Sequence, residues 1–260
     1  MFLTAPMNVK QQHTPPGSSS GPLPATVRAR LQAQLQRSRP AFGDGVTPRP
    51  LLRGWLHLVC FFLAVPAGVA LVVAADSTRA KVGSGIYALG LAAVFGVSAA
   101  YHRCRWSGPA RSRMRRLDHA TIFVMIAGSF TPLALVVLDG AMGTVLLAAA
   151  WTGAAIGLAM AFAGIAQKPL GALSYIAFGW LFVLALPELS RHLTGPQIAL
   201  LAAGGLMYTF GAIAFFSHWP NPFPLVFGYH EIWHVMVVAA VVCHYLTISS
   251  VVRSAGAHAS

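Results

Sequence analysis

Residues 230–234 read HEIWH, and the spacing raises a chemical question at once. Histidines four apart on a helix lie on one face, so the rings of His230 and His234 project together. A third imidazole, His102, closes the stretch VSAAYH at 97–102. Three neutral imidazoles leave one tetrahedral position free, which is the coordination of a catalytic zinc. Water on such an ion titrates near pH 7, so the spacing points to Zn²⁺ and a nucleophile available at neutral pH. Asp118, in LDHAT at 117–121, is an acceptor for a hydrogen bond from that water. Ser98 precedes His102 by four residues and shares its helix face, where a hydroxyl can bind a substrate carbonyl or oxyanion.

These residues are far apart in the chain, so the elements between them must bring them together. Hydrophobic residues make up 56% of the sequence and charged residues 9%. Soluble domains carry roughly 25% charged residues. The charges are clustered and leave seven uncharged runs, at 55–75, 84–102, 119–138, 141–166, 169–187, 195–216 and 229–252, the last broken only by Glu231. A bilayer-crossing helix needs about 20 apolar residues. The runs are continuously apolar and do not alternate, which favours helices over a barrel. The expected fold is therefore an all-α membrane protein, a seven-transmembrane helix bundle, multi-pass in the inner cell membrane.

Residues 1–53 differ in character. QQHTPPGSSSGPLP at 11–24 has the composition of a disordered tail, and PATVRARLQAQLQRSRP at 24–40 fits a short basic amphipathic helix or a solvated tail. Three regions result: a basic cytoplasmic tail over 1–53, a zinc-binding membrane domain over 54–252 and a short C-terminal tail over 253–260. Lys and Arg orient the bundle. Fourteen of the 18 fall in the tail and in the connections on its side, and four fall on the other side. The positive-inside rule then puts the N-terminus in the cytoplasm. The net charge of +12 reads as topology plus attraction to membrane lipids. It does not read as a nucleic-acid surface, since the arginines flank spans and lack interleaved aromatic residues. Cys60, Cys104 and Cys243 show no metal or disulfide spacing and read as packing residues.

With that topology, span two ends and spans three and seven begin at the cytoplasmic face. Ser98, His102, Asp118, His119, His230, Glu231 and His234 therefore share one depth. Ionisable groups at membrane depth are costly and usually paired or functional. The other histidines read more plainly. His57, near the start of span one, could approach the site, but placement at the membrane interface is the expectation. His119 points about 100° away from Asp118 on a helix and reads as a packing or supporting residue. His244 lies about 15 Å deeper than His234. Gly153 and Gly157 form a G-x-x-x-G pair that suits close helix packing and is compatible with a homo-oligomer.

SAAYH, LDHATIFVMIAGSFTPL and HEIWH, in this order and on these spans, resemble the hemolysin III proteins of bacteria, relatives of the adiponectin and progestin receptors and of the alkaline ceramidases. FGWLF and GGLMYTFGAIAF agree, and the resemblance covers roughly residues 50–252. It implies zinc held by His102, His230 and His234, with Asp118 holding the zinc water and Ser98 as the serine of the first motif. It also implies a proposed hydrolysis of lipid amides, and it brings the haemolysis of the family name. A metalloprotease is the rival, because HEIWH satisfies H-E-x-x-H and an LDG stands at 138–140, as in intramembrane site-2 proteases. In those proteases LDG follows HExxH, whereas here it precedes it. Asp139 also ends span three, about 30 Å from His230. Glu231 is left as a general base, a supporting partner or a charge reaching to the interface. The sequence supports three readings: a zinc-dependent hydrolase of a lipid-like amide or ester, a receptor-like protein with a structural zinc, and a pore-forming protein.

Overall fold

In the computed structural model, the described residues are 26, 50–138, 140–166 and 169–257. Nearly all of the expected disordered tail and amphipathic helix lies outside them, together with Asp139, Lys168 and His258, but its last residues, 50–53, are ordered and bonded to the loop before the last helix, so the tail ends earlier than residue 53. The described chain is helical throughout its spans: α1 Trp55–Val73, α2 Thr78–Arg103, α3 Gly108–Pro132, α4 Gly140–Phe162, α5 Pro169–Gly179, α6 Phe182–His192, α7 Gly195–Ser217 and α8 Tyr229–Ala257. Among the described residues, seven segments are long and apolar enough to cross a membrane, with α5 and α6 sharing the fifth. The chain is an integral membrane protein of the multi-pass kind.

The seven spans match the seven apolar runs, with two departures. The fifth is not one helix. Around Trp180 the backbone closes short i→i+3 bonds, from Leu181 to Phe178, Val183 to Trp180 and Leu184 to Leu181. This tight turn separates α5 from α6, and the Trp180 indole is tied sideways to Thr209 at 2.9 Å. The third span, for its part, changes pitch at its far end. Pro132 has no N–H to give, and Leu133–Val137 continue as a π-helical turn closed by Leu138 N donating to Leu133 O.

The first helix turns small and polar residues inward and large apolar ones outward, whereas α2 and α3 bury large side chains such as Tyr87, Phe95 and Phe123. On α1 the buried residues are His57, Ala64, Gly68 and Leu71, which fall on one helical stripe. Phe62, Leu63, Val69 and Val73 point away and are exposed, as a lipid-facing surface requires. α1 packs mainly on α2, α2 on α3, α3 on α4, and α7 on α8, while α8 also touches α1 and α3. Gly153 and Gly157 receive the rings of Phe178 and Phe123, so this G-x-x-x-G is filled from within the same chain. These contacts bring the end of α2 and the starts of α1, α3 and α8 to one end of the bundle.

Candidate metal centre

His102 lies in the last turn of α2, and His230 and His234 in the first turns of α8. Nε2 of His102 and Nε2 of His230 are 3.2 Å apart. One nitrogen from each of the three rings lies within 4.8 Å of the others, and these three could hold a metal ion. Nitrogens bound to one tetrahedral zinc at about 2.05 Å stand about 3.3 Å apart. The His102–His230 separation fits that geometry. The rings of His102 and His234 are buried, and that of His230 is half-buried. Three protein donors leave a fourth position for water or substrate.

Ser98 is buried one turn before His102. Its side chain faces that of Asp118 across the α2–α3 contact. The Asp118 side chain keeps 15% exposure. The Nδ1 of His119 meets the carbonyl of Arg115 at 2.8 Å and stands 3.9 Å from Oδ2 of Asp118. It braces the first turns of α3, in keeping with the supporting role read from the sequence.

Glu231 is buried, and both its oxygens are used. Oε2 accepts the backbone N–H of Gly228 at 2.8 Å, and Oε1 pairs with Nε of Arg53. A glutamate at this position, reaching back to the residue that begins the helix, is the second half of a capping box. Glu231 is therefore neither a charge extended to the interface nor an unengaged general base. The metalloprotease reading loses its catalytic acid for the same reason.

Arg53 arrives on a short strap. Leu51 N donates to Leu225 O at 2.9 Å and Leu52 N to Val226 O at 3.2 Å, so the segment before α1 pairs with the loop before α8. Gly54 follows with φ 78°, and a Cβ there would stand 2.7 Å from the Cβ of His102. Only glycine gives the backbone both this turn and this closeness. Arg103 completes the strap, its guanidinium 4.0 Å above the ring of Trp55.

His57 departs from its expected place at the membrane interface. It is 3% exposed, and its ring stacks on that of His234 with centroids 3.9 Å apart and planes within 5°. The inward stripe of α1 carries it there. Its alignment with Ala64 and Gly68, small residues that mark a packed face, is the signal that sequence reading missed. Below the triad an apolar cavity opens. Val94, Ile122, Tyr175 and Trp233 line its near part, and Leu201, His244 and Ile248 its far part. His244 is ten residues past His234, about 15 Å along the axis.

The model of the family described as Haemolysin-III related matches residues 46–245. Hemolysin-3 of Bacillus cereus is 32% identical over 193 residues, covering 70% of this chain and 82% of the relative. A Hemolysin-3 homolog of Bacillus subtilis is 34% identical over 131 residues, 47% of this chain and 55% of the relative. The human monocyte to macrophage differentiation factor is 30% identical over 198 residues, 72% of this chain and 79% of the relative.

Proposed function

Because the chain belongs to the haemolysin-III related family, we propose that it is a zinc-dependent hydrolase cleaving an amide or ester bond in a lipid-like substrate at the cytoplasmic side of the membrane. One juxtaposition carries this reading: three convergent imidazoles with Ser98 and Asp118 facing each other on the neighbouring turns of α2 and α3, at the head of an apolar cavity. His102, His230 and His234 would hold the ion. When bound, it supplies Lewis acidity toward a carbonyl oxygen and makes water more acidic.

The chain's own residues do the rest. The acyl chain lies in the cavity below the triad, and its carbonyl is held at the imidazoles. Asp118 takes a proton from the attacking water as the carbon–oxygen bond forms. It returns that proton to the leaving nitrogen or oxygen as the old bond breaks, giving a fatty acid and an amine or alcohol. Ser98 holds the Asp118 carboxylate in the orientation this needs. The buried walls keep bulk water from competing.

The test uses purified protein in lipid nanodiscs with zinc, incubated with ceramides, other acyl amides and acyl esters. Fatty-acid release by wild type and its loss in His234→Ala support the reading. No release from any of these lipids, or equal release by the variant, overturns it. The printed name of the Bacillus cereus relative favours a second reading, membrane permeabilisation. Metal-independent dye leakage from vesicles, unchanged in His234→Ala, would support that instead.

A further inference from the structure

His57 has no place in the chemistry above, yet it lies against one of the three imidazoles. Its Nδ1 and Nε2 are both buried, and neither has a hydrogen-bond partner among the described residues. Buried polar atoms in folded proteins are nearly always paired, with protein or with ordered water. The ring is enclosed by His234 on its face and by Phe95, 5.1 Å away and edge-on at 67°.

A fourth metal ligand is one explanation, and the ring geometry argues against it. An imidazole binds an ion through a lone pair lying in its own plane. The planes of His57 and His234 are parallel and stacked, so they do not cross at a common ion. Among the described residues, the group able to share an ion comprises His102, His230 and His234 and omits His57. Structural packing alone is a second explanation. It does not account for two buried nitrogens left without partners where an apolar ring of the same size would fit.

We propose that His57 is a positioning residue of the metal centre. Its stacked face fixes the plane of His234, and a ring nitrogen hydrogen-bonds the oxygen, from water or substrate carbonyl, that occupies the fourth position. The inference rests on reading the three histidines as a metal centre, but not on any lipid being hydrolysed.

The two halves separate in two variants of the full-length protein in detergent, each checked for a single monodisperse peak. His57→Ala removes both stack and nitrogen, and His57→Phe keeps the stack and removes the nitrogen. The probe is Co²⁺, titrated by its visible absorption and competed with Zn²⁺. Losses at residues that support metal ligands are typically 10- to 100-fold, and His57→Ala is expected to weaken Co²⁺ binding by about that much. His57→Phe should recover affinity to within about threefold of wild type, while shifting the absorption bands because the oxygen ligand has lost its hydrogen bond.

Wild-type affinity in His57→Ala overturns the positioning role. A loss in His57→Phe as large as in His102→Ala makes His57 a ligand and overturns it equally. Recovered affinity with an unshifted spectrum overturns the hydrogen bond. Wild type that binds no Co²⁺ overturns this inference together with the metal centre, whereas tight binding without any lipid hydrolysis overturns only the proposed enzyme activity.

Discussion

Asp118 separates chemistry from metal retention. It stands outside the group of three nitrogens and faces Ser98, one turn before His102. Asp118→Asn should therefore keep bound zinc near wild-type content, while fatty-acid release falls by about 10²- to 10⁴-fold, the usual worth of a positioned proton-transfer group. Metal analysis beside the same lipid assay checks both halves, and loss of zinc from the variant would place Asp118 among the groups that hold the ion. At this scale the sequence was partly legible. The i, i+4 pair and the shared depth of His102 are local facts, and they led to the three rings that do converge. His57 was not legible from spacing, because which face of α1 turns inward is decided by packing against α2 and α8. The approach of Ser98 to Asp118 likewise depends on how α2 and α3 are rotated against each other.

Among the elements, the strap and the loop before α8 govern how α8 starts. Glu231 caps that helix and is paired with Arg53, whose side chain is 18% exposed and so only partly screened. Replacing Glu231 with Gln removes the charge from the pair and weakens the cap. The expected cost is about 2 kcal/mol, between values for surface and fully buried pairs. Arg53→Ala should cost a similar amount, and the double variant much less than the sum of the two, because both remove one interaction. Chemical denaturation in detergent, run as a double-mutant cycle, measures this, and additive losses would mean that the two side chains do not support each other. Nothing in the sequence pairs residues 178 positions apart. The seven spans were legible because a helix in lipid must satisfy its backbone locally, a demand visible in any window of about 20 residues. The turn at Trp180 was not, since it depends on Thr209 of a different helix.

For the whole molecule, the arrangement of positive charge predicts which compartment the site faces. The arginines at 53, 103, 105, 111, 113, 115 and 116 are at or beyond the same ends of α1, α2 and α3 that carry the histidines. Cys104 is exposed at that end, whereas Cys60 and Cys243 lie within spans. In a variant with Cys60 and Cys243 changed to Ala, a membrane-impermeant maleimide should label Cys104 in inverted vesicles and leave it unlabelled in intact spheroplasts. The reverse pattern would turn the site outward and refute the positive-inside assignment.

The three imidazoles are contributed by the second and the last crossing of the membrane, with more than a hundred residues synthesised between them. A nascent chain still emerging from the ribosome owns only one of the three until its final segment has entered the bilayer. On the proposed metal-centre reading, an ion could be captured only once the seventh crossing is in place, so a chain that stops short of it would reach the membrane without the means to retain one.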